Sequence, residues 1–560
     1  MKNNFTEFVL RHFGVFLYFT LSNIFCLALF SKININQDFI LSIKYAKPSS
    51  ISAIFLTLLA FLIVFLISKK FALNKLGGGI LKLLIIYNLI IILIQTFLVI
   101  NFHTFINPSF LESLFNTNLN ESIEFLIMYF NSKTIFALIF VLVFSFFILK
   151  IKIIKKIGNK FNLFFIVLIL FINFGNDLRR ALKYDFERYF NIPFIKFHKE
   201  VFANNEILVE SLKMRNSYMQ IANSHSKTKA LENIKNIVLI IGESSRRSAY
   251  QDYGQLLHTT PNLLSIENKI IYSDVIAPYS STNPVMSVML NFANLDNLKE
   301  RKFYENLDIV NLFKLANYKT FWISNQDYVS EWGNNAASIG IMSDFAYFSN
   351  QYISSSETLA YAKYDEVLLP ILNDLKLSDN NFISIHLLGN HGNYKKRYPK
   401  TFSKFSESDI KENIKDKKSI SEYYNSILYT DYIIYSIYER FKDDDTLIIY
   451  LSDHAESLYD DKTKSLLGHG VSDKIIADIP FIILYSNSFK TNHKELLDKL
   501  ILSKDLAFMS DDLIHLLCDI AGIKIAEFDE SRSPINKKYN KFRIRLFANE
   551  INYDNFLKLD

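Results

Sequence analysis

Apolar residues follow two different rhythms along this chain. In the first third, long windows almost free of charge recur at 13–31, 51–68, 79–100, 134–149 and 161–175. That is about the ~17–25 residues needed to cross a bilayer core, although the fifth window is short and Lys82 interrupts the third. From about residue 234 the apolar runs shorten to NIVLIIG, YKTFWIS, NFISIHLLG, TLIIYLSDH and IPFIILYS, separated by amphipathic stretches. Short buried strands alternating with helical patterns predict an α/β domain with a mainly parallel central sheet covered by helices. Between the two regimes, NDLRRALKYDFERYFNIPFIKFHKEV mixes basic, aromatic and apolar residues at helical spacing. This suits a helix lying in the headgroup region, or a solvated connecting helix. The expected organisation is a five-helix transmembrane domain over 1–176, an interfacial bridging helix and linker over 177–233, and a large exported domain over 234–560.

Charge refines the picture without redirecting it. The 62 Lys and Arg exceed the 56 Asp and Glu by only six, which gives no reason to invoke nucleic acid. Basic residues concentrate at the N-terminus and in the second and fourth loops, with Arg11, Lys69, Lys70, Lys75, Lys150, Lys152 and Lys155 among them. The first and third loops hold only Lys32, Lys44, Lys47 and Lys133. The N-terminus is therefore expected in the cytoplasm and everything after about residue 176 outside. The first apolar segment lacks a small-residue cleavage site and is expected to stay as a signal anchor. Cys26 falls inside the first span and Cys518 in the exported part, so no disulfide is expected.

Candidate chemistry gathers at strand ends. The run Leu447–Leu451 reads as a buried strand and is followed by Asp453 and His454. In an open α/β sheet, ligands collect beyond the carboxyl ends of the strands. A carboxylate and a neutral imidazole are both ordinary zinc ligands. The first strand, Ile237–Ile241, is followed by Glu243, a third ligand at the same edge. Alternatively, Asp453 and His454 form a solvated turn, and Glu243 is a helix N-terminal carboxylate. Zinc lowers the pKa of a coordinated oxygen, so a hydroxyl should complete the site. Ser244, Ser245 and the group Ser280, Ser281 and Thr282 all remain open from the residues alone.

GESSRR with HTTPNLL after it, YKTFWISNQ, HLLGNHGNYKKRYP, YNSILYTDYII and SDHAES followed by GHG occur here in one order. That order resembles bacterial phosphoethanolamine transferases, membrane-anchored members of the alkaline phosphatase and sulfatase superfamily. The wording is most similar to the branch that decorates lipopolysaccharide core sugar. The resemblance implies an alkaline-phosphatase-like fold behind five spans, in the inner membrane, with a periplasmic catalytic domain. It implies that the nucleophile is Thr282, 39 positions after Glu243 (282 − 243 = 39), with Ser244 as a supporting hydroxyl. It implies a zinc site of Glu243, Thr282, Asp453 and His454, with a second zinc possible near the further histidines.

His391 and His469 match histidines that hold the phosphoryl group, and Asn325 fits a polar pocket contact. A lysine found a few residues on in many relatives is missing here. His386 reads either as a substrate contact or as a packed core histidine, and His258 as a surface loop residue. Ala455 stands where the family has glycine, which is tolerable only if that backbone avoids positive φ. Thr117 and Glu121 in TNLNE resemble a motif that reaches the ethanolamine end of the substrate; they also fit a capping box. The implied activity moves phosphoethanolamine from phosphatidylethanolamine to lipopolysaccharide, on core sugar or lipid A, through a phosphothreonine in ping-pong order. A monomer is expected. A glycerophosphate polymerase, a sulfatase- or phosphatase-type hydrolase and a non-enzymatic membrane scaffold are the alternatives.

Overall fold

The computed structural model describes residues 5–35, 39–70, 74–102, 105–106, 130–152, 175, 179, 192–198, 201, 205–298, 300–326, 328, 335–349, 363–411, 416–461, 466–470, 473–548 and 551–556. The chain divides into two compact units near residue 208. The first contains the helices α1 (Phe13–Ile35), α2 (Phe39–Lys70), α3 (Asn74–Phe102), α4 (Ser132–Leu149) and α5 (Pro193–His198). Among the described residues, three stretches are long and apolar enough to cross a membrane: Phe13–Phe30, Gly79–Asn101 and Ser132–Leu149. A shorter apolar helix covers Ile51–Ile67, and the expected fifth span lies outside the described residues.

The burial of this unit suits lipid around it. Phe136, Phe147 and Leu83 face outward at 73%, 65% and 69% exposure, whereas Asn23, Asn88 and Gln95 are buried. The inward polar groups satisfy one another: Asn23 Nδ2 donates to Asn88 Oδ1 at 3.3 Å and Asn88 Nδ2 to Ser22 Oγ at 3.2 Å. Such pairing is required where no water can serve. Helix α5 joins this network, because Phe194 N donates to Asn23 Oδ1 at 3.0 Å and Gln95 Nε2 donates to the Pro193 carbonyl. Within the expected 177–233 bridge, Pro193–His198 packs among the apolar helices, and Val209 onward belongs to the second unit.

The second unit begins within α6 (Asn205–Ser224) and is built on a seven-stranded sheet. Its strands are β1 (Asn236–Gly242), β2 (Lys269–Ile271), β3 (Lys319–Ser324), β4 (Phe345–Phe348), β5 (Asn381–His386), β6 (Thr446–Ser452) and β7 (Phe481–Tyr485). The spatial order is β2-β7-β6-β1-β5-β3-β4. The five strands β6, β1, β5, β3 and β4 run parallel. The IPFIILYS strand, β7, departs from the expected direction: it runs antiparallel to both β6 and β2. A buried apolar run has the same composition in either direction, so the sequence pattern could not show this. The central strands β1, β5 and β6 are buried along their whole length, as strands covered on both faces are, and their residues are mostly apolar. One face packs on α7 (Lys417–Phe441) through Ile427, Ile433, Ile434 and Ile437. Asp416 caps that helix by accepting from Ser419 N.

Candidate metal centre and nucleophile

Register decides which residues meet. Gly242 of β1 lies opposite Ser452 of β6, and Ile241 lies opposite His386 of β5, which in turn faces Ser324 of β3. The residues that follow these positions, Glu243, Asp453, Leu387 and Asn325, therefore emerge side by side at the carboxyl edge of the parallel strands. Glu243, Asp453 and His454 are fully buried there and bring one ligand atom each within 4.8 Å of one another. Thr282 opens a helix, Thr282–Met289, and reaches the same point: its hydroxyl donates to Glu243 Oε2 at 3.0 Å and lies 3.3 Å from His454 Nε2.

Hydrogen bonding fixes each ligand. The backbone of Ser244 is left-handed, with φ 58°, an unusual state for a residue with a side chain. That turn aims Ser244 N–H at Asp453 Oδ1 (3.0 Å) and its carbonyl at the Tyr423 hydroxyl (2.9 Å), while Ser244 Oγ donates to Glu243 Oε1 (2.7 Å). Tyr423 also accepts from Arg246 N at 3.0 Å. Behind the turn, Asn390 N donates to the Glu243 carbonyl at 3.0 Å. Gly389 sits at φ 52°, where a Cβ would lie 2.9 Å from that same carbonyl oxygen. The GNHG stretch thus needs glycine for both conformation and space. Ala455, in contrast, is not among the described residues with positive φ, so alanine is accommodated.

The cluster has the donor set of a zinc site. His454 Nδ1 lies 3.0 Å from the Ala455 carbonyl, which can only accept, so Nδ1 carries the proton and Nε2 offers its lone pair. That lone pair points among Glu243 Oε1 and Asp453 Oδ2, each 3.4 Å away. Among the described residues no donor reaches the buried Asp453 Oδ2. Burial raises the Glu243 carboxyl and, with the Glu243 charge beside it, pushes Asp453 up to about 6. Burial also lowers His454, keeping it neutral. Converging lone pairs without a shared proton are what a divalent cation would join, and two carboxylates, an imidazole and an alkoxide oxygen suit zinc.

A second group stands beside the first. The His469 ring lies 4.2 Å from that of His454 between centroids, tilted by 48°, and His391 lies 6.0 Å from His469. Glu456, buried, accepts from His469 Nδ1 at 2.9 Å and from the Tyr394 hydroxyl. Burial works against protonation of His469, but the Glu456 bond and charge carry it above the ordinary histidine range. His391 goes the other way, held at about 4 by burial and then by Arg397 and His469. Its Nδ1 is buried and has no hydrogen-bond partner among the described residues.

Some expected residues sit elsewhere. Asn325 Nδ2 donates to the Lys363 carbonyl and Asp365 Oδ1, both at 2.8 Å, so its amide is spent bracing loops rather than lining the pocket. Its neighbour Gln326 takes the polar role: Nε2 donates to Glu243 Oε2 at 3.1 Å and to the Leu387 carbonyl at 3.0 Å. His386 is a packed core residue, 3% exposed and edge-on to Trp322, with burial lowering it to about 3. His258 is exposed on a loop, and Cys26 and Cys518 are both free and buried. Thr117 and Glu121 lie outside the described residues. Glu456, Gln326, Tyr423 and Asn390 were not singled out from the sequence. The signal for Glu456 was its place two residues after His454; the other three became visible only through tertiary contact.

Comparison with known proteins agrees with this geometry. The sulfatase family model matches residues 235–523, just over half of the chain. Phosphoethanolamine transferase EptC of Escherichia coli (strain K12) is 28% identical over 350 residues, 58% of this chain and 59% of its own length. EptA of Helicobacter pylori is 30% identical over 297 residues, 49% of this chain and 52% of its own length. The chain thus spans less than two thirds of the length of these curated relatives. The zinc complex of the C-terminal periplasmic domain of EptC from E. coli is similar in structure, with a TM-score of 0.53 and 26% identity, over 59% of this chain and 96% of that one. With a sheet edge that gathers Glu243, Thr282, Asp453 and His454, and a family match across the whole of that sheet, this chain belongs to the sulfatase family.

Proposed function

We propose that this chain is a membrane-anchored phosphoethanolamine transferase that takes phosphoethanolamine from phosphatidylethanolamine and passes it to lipopolysaccharide. The observation that carries the reading is Thr282 Oγ1, which meets Glu243 Oε2 at 3.0 Å and His454 Nε2 at 3.3 Å at the carboxyl edge of the sheet. A zinc ion held by Glu243, Asp453, His454 and Thr282 Oγ1 would supply Lewis-acid activation of the hydroxyl and neutralise phosphoryl charge. The Thr282 oxygen attacks the donor phosphorus, its proton passing to Glu243 Oε2. The bond from phosphorus to the diacylglycerol oxygen breaks, and that oxygen takes up a proton. His469, held by Glu456, donates to the phosphoryl oxygens or to the leaving oxygen. An acceptor hydroxyl or phosphate then attacks the phosphothreonine and restores Thr282. His391, whose buried Nδ1 has no partner among the described residues, is the further phosphoryl contact.

The names of EptC and EptA support the transferred group, and the zinc complex of the E. coli domain supports the ion. The apolar helices support a membrane enzyme; in this reading the N-terminus is cytoplasmic, the catalytic unit periplasmic, and a single copy suffices. Thr117 and Glu121 would meet the ammonium end of the donor. The test incubates purified full-length protein with a fluorescent phosphatidylethanolamine and no acceptor, then seeks phosphoethanolamine on the peptide containing Thr282 by mass spectrometry. A modified Thr282 with released diacylglycerol is expected. An adduct on Ser244, or no diacylglycerol, overturns the reading in favour of another nucleophile or of a glycerophosphate transferase or hydrolase.

A further inference from the structure

The segment Asn536–Arg545, NKKYNKFRIR, contains five basic residues and no acid. It forms two successive tight turns. In the first, Tyr539 N donates to the Asn536 carbonyl and Lys538 N to Asn536 Oδ1, leaving Lys537 and Lys538 at the apex. In the second, Arg543 N donates to the Asn540 carbonyl and Phe542 N to Asn540 Oδ1, leaving Lys541 and Phe542 at the apex. Each asparagine side chain mimics a backbone acceptor, which is why the two turns share one pattern. Phe542 is 92% exposed and Ile544 60%, and Lys537, Lys538 and Lys541 are all exposed. Lys538 pairs with Glu530 at 2.5 Å.

The apices stand on a rigid base. Arg543 is held by Asp511 at 2.6 Å and Asp512 at 2.5 Å, and Arg545, 3% exposed, by Asp274 at 2.7 Å and Asp554 at 2.5 Å. The Tyr539 hydroxyl donates to the Ala507 carbonyl between the two turns. Single exposed apolar residues need no explanation. Here an exposed aromatic and an exposed isoleucine are instead fixed among outward lysines, on a scaffold that keeps them from folding back. We propose that these paired turns are a docking site of the catalytic unit for an anionic phospholipid surface: Phe542 and Ile544 enter the headgroup boundary while Lys537, Lys538 and Lys541 meet lipid phosphates. Charge complementarity favours this occupant. The membrane-length helices on the same chain hold the catalytic unit near a bilayer, so a weak contact of one phenylalanine, one isoleucine and three lysines is enough to be populated. The inference is independent of the transferred group.

The test places an environment-sensitive fluorophore at Phe542→Cys or, as a control, at Leu256→Cys in the full-length protein. Leu256 is likewise exposed, at 87%, and the native Cys26 and Cys518 are buried. The protein is reconstituted into nanodiscs of phosphatidylcholine with or without phosphatidylglycerol, and quenching by brominated-chain lipid is read. The residue-542 probe is expected to shift to the blue and be quenched in phosphatidylglycerol discs, with the control unchanged. Each lysine replaced by glutamate should lower the docked population by about fivefold or more. Identical behaviour of the two probes overturns the proposal. Shielding at 542 that ignores both lipid charge and the lysine replacements also overturns it, because it would place Phe542 against protein.

Discussion

Replacing Tyr423 by Phe removes one oxygen, and the structure sets what that oxygen does. The ring is wholly buried on α7, and its hydroxyl joins two backbone groups of the metal-site turn, the Ser244 carbonyl and the Arg246 amide. Phenylalanine leaves both unsatisfied, at about 1–3 kcal/mol each. Relaxation of Ser244 out of its left-handed conformation returns about 1–2 kcal/mol. The two costs together, about 2–6 kcal/mol, less that return leave a net loss of about 1–4 kcal/mol. If the turn relaxes, Ser244 N–H and Ser244 Oγ leave Asp453 and Glu243, and zinc affinity should fall about 10–100-fold, as for other groups that orient metal ligands. Thermal melts of the detergent-solubilised full chain give the first quantity. Competition against a chromophoric chelator gives the second, and diacylglycerol release from phosphatidylethanolamine reports the consequence. An unchanged melt would refute the energetic argument. A lowered melt with wild-type zinc affinity would show that Tyr423 packs the core without orienting the ligands.

Four further outcomes follow from the structure. Gln326→Leu takes one donor from Glu243 Oε2 and should cut transfer about tenfold, while loss of the donor to the Leu387 carbonyl lowers stability by about 1–3 kcal/mol; wild-type transfer would release Gln326 from the site. Asn325→Ala should instead destabilise by about 1–3 kcal/mol, and activity loss without destabilisation would return Asn325 to the pocket. Glu456→Gln removes the charge that raises His469, and because His469 must be protonated to donate, the alkaline limb of the rate profile should shift to lower pH; an unmoved limb would release His469 from proton transfer. Asp431, which caps Asn262 and Leu263 amides, is raised by burial to about 7. Its folded value exceeds its unfolded one, so its contribution to stability is complete below about 3.8 and lost as pH rises through about 7. Wild type should therefore gain on Asp431→Asn as pH falls across that window, and the opposite slope in paired melts would contradict the assignment.

The sequence alone determined the division into apolar helices and an α/β unit, because membrane spans and buried strands are local patterns of composition. It determined that Glu243, Asp453 and His454 belong to one edge, since each follows a strand and parallel strands end together. Recognition of the motif order pointed to Thr282 over Ser244, a choice that spacing and residue type left open. The tertiary structure decided the rest. The direction of β7 depends on which neighbour it meets, and nothing in its five apolar residues encodes that. The exchange of roles between Asn325 and Gln326 turns on one step of strand register, which sends adjacent side chains to opposite tasks. Tyr423, Asn390 and Glu456 support the site from a helix, a loop and a strand end separated by tens of residues. Their hydroxyl, amide and carboxylate find partners only when packing removes the water that would otherwise satisfy them.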